Sequence, residues 1–176
     1  MAVIVSILDL VDELQMLSAE SHVYLNKITG RVISVTNDDF AIVENVDESE
    51  FSETDETDDN EGGDSDLEQD FFREVKRISL FDENYLKLPS KFDIHEYEIM
   101  ERFSLSFPNR KIGDVLLEKI RGSGAFHRFK DTIYRYGIEK DWFKFRDEAY
   151  KEIAIAWLQS HDFTYVDDMN RREQSI

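Results

Sequence analysis

Two glycines bracket Ser123, and Arg121, Arg128, Lys130 and Arg135 gather around them. Where one helix ends and another begins, such a stretch offers free N–H groups and partial positive charge to a phosphate or carboxylate. Guanidinium forks on Arg121 and Arg128 would grip that anion with paired hydrogen bonds. The predicted anion-binding set is Arg121, Gly122, Ser123, Gly124, Arg128, Lys130 and Arg135. A plainer reading accounts for the same residues. Ser123 would cap a helix, Arg128 would pair with Asp131, and Asp131 with Arg135, all at helical spacings. The loop is not of the phosphate-cradling nucleotide type, because no strand precedes it and no Gly-Lys-Ser/Thr ends it.

Four other groupings carry weaker chemistry. Ser123 and His127 stand four apart, as nucleophile and base can, yet no carboxylate is assigned to orient the histidine. Asp93, His95, Glu96, Glu98 and Glu101 crowd a helix start, where they could hold a divalent ion or move protons. Acidic residues suit a helical first turn for electrostatic reasons alone. Residues 58–66 are similar to a calcium loop through Asp58, Asn60, Asp64 and Asp66, but Gln69 occupies the place of the bidentate Glu. Trp142, Phe143, Phe145, Tyr150 and Trp157 beside Lys140, Lys144 and Arg146 could stack bases. Their helical spacing reads as core instead. No catalytic residue, metal site or cofactor is assigned.

Charge is distributed very unevenly along these elements. Residues 44–70 hold fourteen carboxylates and no Lys or Arg, against a net charge of −18 for the whole chain. The rest is close to neutral, and residues 110–151 carry eleven Lys or Arg against seven Asp or Glu. A tract so acidic and so poor in apolar residues cannot offset its backbone ordering cost, so disorder is expected over 44–66. The chain has no cysteine, which removes disulfides and thiolate sites. Its apolar start is too short for a secretory signal or a membrane span, and the expected location is the cytoplasm.

The elements that must position these groups follow from periodicity. Ile4, Ile7, Leu10, Val11, Leu14 and Leu17 form a helical stripe, with Ser6 and Asp9 as a capping pair. Residues 22–27 and 31–36 read as a β-hairpin turned at Gly30, and 40–43 as a third short strand. Helical spacing resumes with Leu67, Phe71, Val75 and Ile78. Residues 85–89 read as extended, and Ser90 or Asp93 would cap a helix bearing Ile94, Tyr97, Met100 and Phe103 or Ser104. Ile112 to the Gly122 break, 125–136 before Gly137, and a long helix from Trp142 to about Gln159 complete the series. Residues from 161 onward read as a frayed tail. The expected fold is α+β: an N-terminal helix and hairpin (1–43), the acidic insert (44–66), a helical bundle (67–160) and the tail (161–176).

Three passages, "YLNKITGRVISV", "LPSKFDIHEYEIMERF" and "LLEKIRGSGAFHRFKDTIYRYGIEKDWFKFRDEAYKEIAIAWL", carry a resemblance. The chain resembles an uncharacterised bacterial protein family, most specifically through "IRGSGAFHRFKD" and "IAIAWL". The resemblance implies a shared fold and a shared surface around Arg121, Gly122, Gly124, Phe126, Arg128, Phe129, Lys130 and Asp131. It implies no reaction. His127 and the long carboxylate run depart from the family pattern.

Three functions compete. The first is a non-enzymatic interaction or regulatory module that docks a protein partner and carries a modulatory acidic arm. The second binds nucleic acid or a phosphorylated ligand through the basic helix junction. The third is an enzyme, for which His95, His127, Glu96, Glu101 and Asp131 are the sensible bases; nothing spaces them in a recognisable catalytic order. No membrane association is expected.

Overall fold

The computed structural model describes residues 3–45 and 64–174. The element order is β1 (Ile4–Ser6), α1 (Ile7–Met16), β2 (Ser21–Asn26), β3 (Val32–Thr36), α2 (Asn37–Asn45), α3 (Asp64–Ser79) and β4 (Tyr85–Lys87). Then follow α4 (Glu96–Ser106), α5 (Arg110–Lys119), α6 (Ala125–Tyr136), α7 (Glu139–Ser160), β5 (Thr164–Val166) and a 3₁₀ turn (Met169–Gln174). The α+β expectation holds. The predicted disorder over 46–63 lies outside the described residues, while 44–45 and 64–66 belong to α2 and α3.

The hairpin forms as its alternation requires, with Tyr24 opposite Ile33 and Leu25 opposite Val32. β4 adds antiparallel to the other side of β2, giving the order β3-β2-β4. Period-two alternation sorts the side chains onto two faces. Val23, Leu25, Val32 and Leu88 enter the main core. Ile33 and Val35 face the other way and meet Val43, Val75 and Ile78 of α2 and α3 in a separate small core. The hairpin is thus sandwiched, with the helices that flank the acidic residues on its outer face.

The stretch around residues 40–43 is α2, not the expected third strand. Thr36 and Asp39 form a reciprocal cap: Asp39 N–H donates to Thr36 Oγ1 at 3.2 Å, and Thr36 N–H to Asp39 Oδ2 at 2.7 Å. That cap satisfies free helix donors and overrides the β-branched character of Ile42 and Val43. The third strand is β4.

Ser90 and Asp93 do not cap the next helix. The Ser90 N–H and hydroxyl both donate to Asp93 Oδ2, at 2.8 and 2.6 Å, closing a local turn, and α4 starts at Glu96. Tyr97 stands outside the core, and Ile99, Met100, Phe103 and Ser104 form the buried face of α4. Phe103 is the hub of an aromatic cluster, with ring centroids 5.3 Å from Trp142, 5.4 Å from Phe145 and 6.2 Å from Phe129. These contacts tie α4, α6 and α7 together.

The frayed tail is also corrected. Thr164–Val166 pairs parallel with β1, setting Val5 opposite Tyr165. Asp168 then locks the chain ends. Its carboxylate accepts from the Ser6 hydroxyl at 2.9 Å and from Leu8 N–H at 3.0 Å, at the start of α1. Ser6 Oγ in turn accepts from Asp9 N–H at 3.1 Å, the expected cap.

Candidate functional site

The helix junction at 120–125 forms where the sequence places it, but its parts are used differently. Gly124, in the left-handed conformation at φ 73°, is the N-cap of α6, so Ser123 is not the cap. Arg128, one turn into α6, reaches back across the loop. Its Nε donates to the Lys119 carbonyl at 3.1 Å, one Nη to the Arg121 carbonyl at 2.6 Å and the other to the Ser123 carbonyl. A guanidinium fork thereby satisfies the carbonyls left free at the end of α5. Arg128 is a clamp on the backbone, not the half of an anion pincer that its spacing suggested.

The clamp takes in the backbone of Arg121 and Ser123 and lies against Gly124, whereas no bond joins it to Lys130 or Arg135. Arg121, Gly122 and Ser123 are exposed, and so are Lys130 and Arg135 on α6. The Lys130 ammonium sits 5.8 Å from the centroid of the Phe126 ring, close enough for a cation–π contact. Asp131 pairs with His127 at 3.4 Å, so neither the Arg128–Asp131 pair nor a Ser123–His127 dyad is the arrangement found. Among the other groupings, Asp93 is held by Ser90 and Glu96 by Tyr150. No group of three or more His, Asp or Glu side chains among the described residues is arranged to hold a metal ion.

A second polar centre lies between α1, α4, α6 and α7. Tyr150 OH donates to Glu96 Oε1 at 2.9 Å, tying α7 to the first turn of α4. Burial, reinforced by the Glu96 charge and hydrogen bond, pushes the Tyr150 phenol far above its ordinary value, so it stays a donor. One turn earlier, Arg146 Nη2 donates to Gln15 Oε1 at 2.9 Å, and Gln15 Nε2 to Asp147 Oδ1 at 2.7 Å. The guanidinium carbon lies 6.0 Å from the Phe143 ring centroid and 5.9 Å from that of Tyr150. Arg146 Nε is buried without a hydrogen-bond partner. Glu96, Phe126, Trp142, Arg146 and Tyr150 close over a crevice too tight for a water-sized guest. The centre therefore fastens helices together.

Trp142 and Tyr150 are core, as their spacing predicted, whereas Phe143 is 42% exposed on the outer side of α7. Sequence reasoning did not foresee the Arg146–Gln15 link, since those residues are 131 positions apart. It also missed the surface near β4. There Leu80 and Phe81 are 68% and 93% exposed, beside an open groove of about 470 Å³ lined in part by Tyr24, Ile78, Tyr85 and Lys87. Phe81 adopts φ 58°, a left-handed conformation unusual for a bulky residue.

Comparison with curated proteins finds no match, and comparison with solved structures finds none either. The model of an uncharacterised protein family, UPF0158, matches residues 1–174, and the chain belongs to that family.

Proposed function

We propose that this protein is a non-enzymatic interaction or regulatory module whose acidic segment modulates contact with a protein partner. The mounting of that segment carries the reading. Its two ends leave α2 and α3, which pack against the outer face of the hairpin through Val43, Val75 and Ile78, apart from the main core. Lys76 Nζ donates to the Val43 carbonyl at 3.1 Å, joining the two helices near the end of α2. Residues 46–63 hold nine carboxylates and no Lys or Arg, half of the net charge of −18. A charge of this size favours a partner with a basic surface and raises its encounter rate at low salt.

The test replaces every Asp and Glu in 46–63 by Asn and Gln, preserving length. Binding of oligolysine, as a probe of a basic surface, is followed by fluorescence anisotropy across a salt series. Wild type should bind with steep salt dependence, and the neutralised variant should lose most of both affinity and slope. Superimposable isotherms would overturn the reading.

A second reading, binding of nucleic acid or a phosphorylated ligand, is favoured by exposed Phe126, Tyr134 and Tyr136 interleaved with Lys130 and Arg135 on α6. Exposed aromatics beside cations are the usual platform for single-stranded bases. In the neutralised background, Arg121, Lys130 and Arg135 are replaced by Ala while Arg128 is kept for its structural role. Retention on heparin that does not change would rule this face out.

A further inference from the structure

β4 is an outer strand of its sheet, and among the described residues no strand pairs with its free side. Lys27 N–H donates to the Asn84 carbonyl at 2.7 Å, and Leu88 N–H to the Val23 carbonyl at 2.9 Å. Bonded positions alternate along an antiparallel ladder, so Asn84, Leu86 and Leu88 turn their backbone groups to β2. Tyr85 and Lys87 turn theirs outward. Tyr85 N–H is used by the Asp82 carbonyl at 3.1 Å. The free side therefore offers the Tyr85 carbonyl and both backbone groups of Lys87. An uncovered edge of this kind is a template for another strand.

What flanks the edge is opposite in character at its two ends. Before β4 stand exposed Leu80 and Phe81, then Asp82 and Glu83; Lys87 ends the strand, and Lys91 and Phe92, which is 73% exposed, follow it. Leu86 lies midway. Antiparallel pairing of two copies about Leu86 sets each Lys87 N–H against the Tyr85 carbonyl of the other copy. The same rotation brings the acidic end of one strand to the basic end of the other, twice over, and carries Leu80 and Phe81 towards Phe92. Asp93 keeps its charge within the turn closed by Ser90, and Lys87 and Lys91 still leave this end net positive. Parallel pairing would instead align like charges.

We propose that the chain forms a two-fold homodimer through antiparallel pairing of β4 with β4 of a second copy. The interface is isologous, the same patch serving both subunits. Its self-complementarity is threefold: backbone donor to acceptor, acid to base, and apolar to apolar. Phe81 supplies an anchor, held in solvent by a strained backbone in the lone chain. This self-association makes no use of the acidic segment and goes beyond the function proposed above.

Sedimentation equilibrium on the full chain at moderate salt tests it. Wild type should dimerise with a dissociation constant on the order of micromolar, as expected for a small interface. Lys87→Pro removes the outward donor and breaks no bond to β2, since proline is tolerated on edge strands. It should weaken dimerisation at least roughly tenfold with an unchanged circular dichroism spectrum. Glu83→Lys, a surface change with no packing consequence, should also weaken it, and Glu83→Lys combined with Lys87→Glu should restore it. A wild-type protein that stays monomeric at high micromolar concentration overturns the proposal. So does a Glu83→Lys variant that associates as tightly as wild type.

Discussion

Phe81 closes the end of α3 with its N–H on the Ile78 carbonyl at 3.0 Å, while Asp82 N–H reaches the Arg77 carbonyl at 3.1 Å. Gly137 makes the same closure after α6, with φ 63°. Glycine takes that left-handed conformation freely, whereas a residue with a Cβ loses about 1–2 kcal/mol. The exposed ring returns no packing. Phe81→Gly should therefore raise stability in dilute protein by up to about 1 kcal/mol, after allowance for the added freedom of the unfolded chain. Urea unfolding measures this directly, and a fall in stability would show that the ring packs against something. Asp168 gives the opposite case. Burial pushes its carboxyl up, but the Leu8 N–H, the Ser6 hydroxyl and the nearby Arg171 outweigh burial and hold it below the ordinary value. A carboxylate of depressed value contributes fully above the unfolded value near pH ~4, and the contribution fades as pH falls through the lower native value. Asp168→Asn should cost about 1–2 kcal/mol at neutral pH. The gap between wild type and variant should close in acid, and urea titrations at pH values either side of that range would reveal a gap that persists.

Gly113 sets how closely α4 and α5 approach. A Cβ built there would lie 2.5 Å from the Ser104 carbonyl oxygen, on backbone that cannot swing aside. Glycine inside a helix ordinarily gains about 1 kcal/mol on becoming alanine. Here the sign reverses, and Gly113→Ala should destabilise by about 1–3 kcal/mol through overpacking. Thermal melting tells the two signs apart. Arg128→Ala should cost about 2 kcal/mol by leaving carbonyls at the end of α5 without partners. Arg128→Lys should recover only part, because an ammonium cannot serve three divergent acceptors as a planar fork does. Elements with local signals were legible: α6 spans Ala125–Tyr136 as its glycine punctuation implied, and the Ser6–Asp9 cap starts α1. The Thr36–Asp39 cap was written in the sequence as plainly, but Ile42 and Val43 drew attention to a strand instead. β5 left no local trace, since a three-residue strand is defined by its partner β1, some 160 positions away. The engagement of Arg128 with loop backbone was hidden for a related reason. Spacing shows which residues share a turn, but it does not reveal where the loop carbonyls of Lys119, Arg121 and Ser123 point.

At the scale of the whole molecule, charge and packing are divided between different parts of the chain. The main core, from Val5 to Leu158, draws on α1, α4, α5, α6 and α7, and Asp168 fastens the C-terminal segment back onto α1. Among the described residues, the small core beneath α2 and α3 is a satellite of five buried residues, and its two helices border the most acidic stretch of the sequence. Like charges strung along one short stretch of chain repel, and the repulsion falls as salt shortens the Debye length to about 10 Å at 0.1 M. The satellite should therefore be the part of the fold most sensitive to ionic strength. Amide exchange at Val35, Val43 and Val75 should slow as salt is raised from low to physiological levels, while exchange at Leu10, Phe129 and Leu158 changes little. Neutralising the carboxylates of 46–63 should produce the slow pattern at low salt. Equal salt responses in both cores would mean that the charge acts on the molecule as a whole, and that the hairpin transmits strain between its two faces.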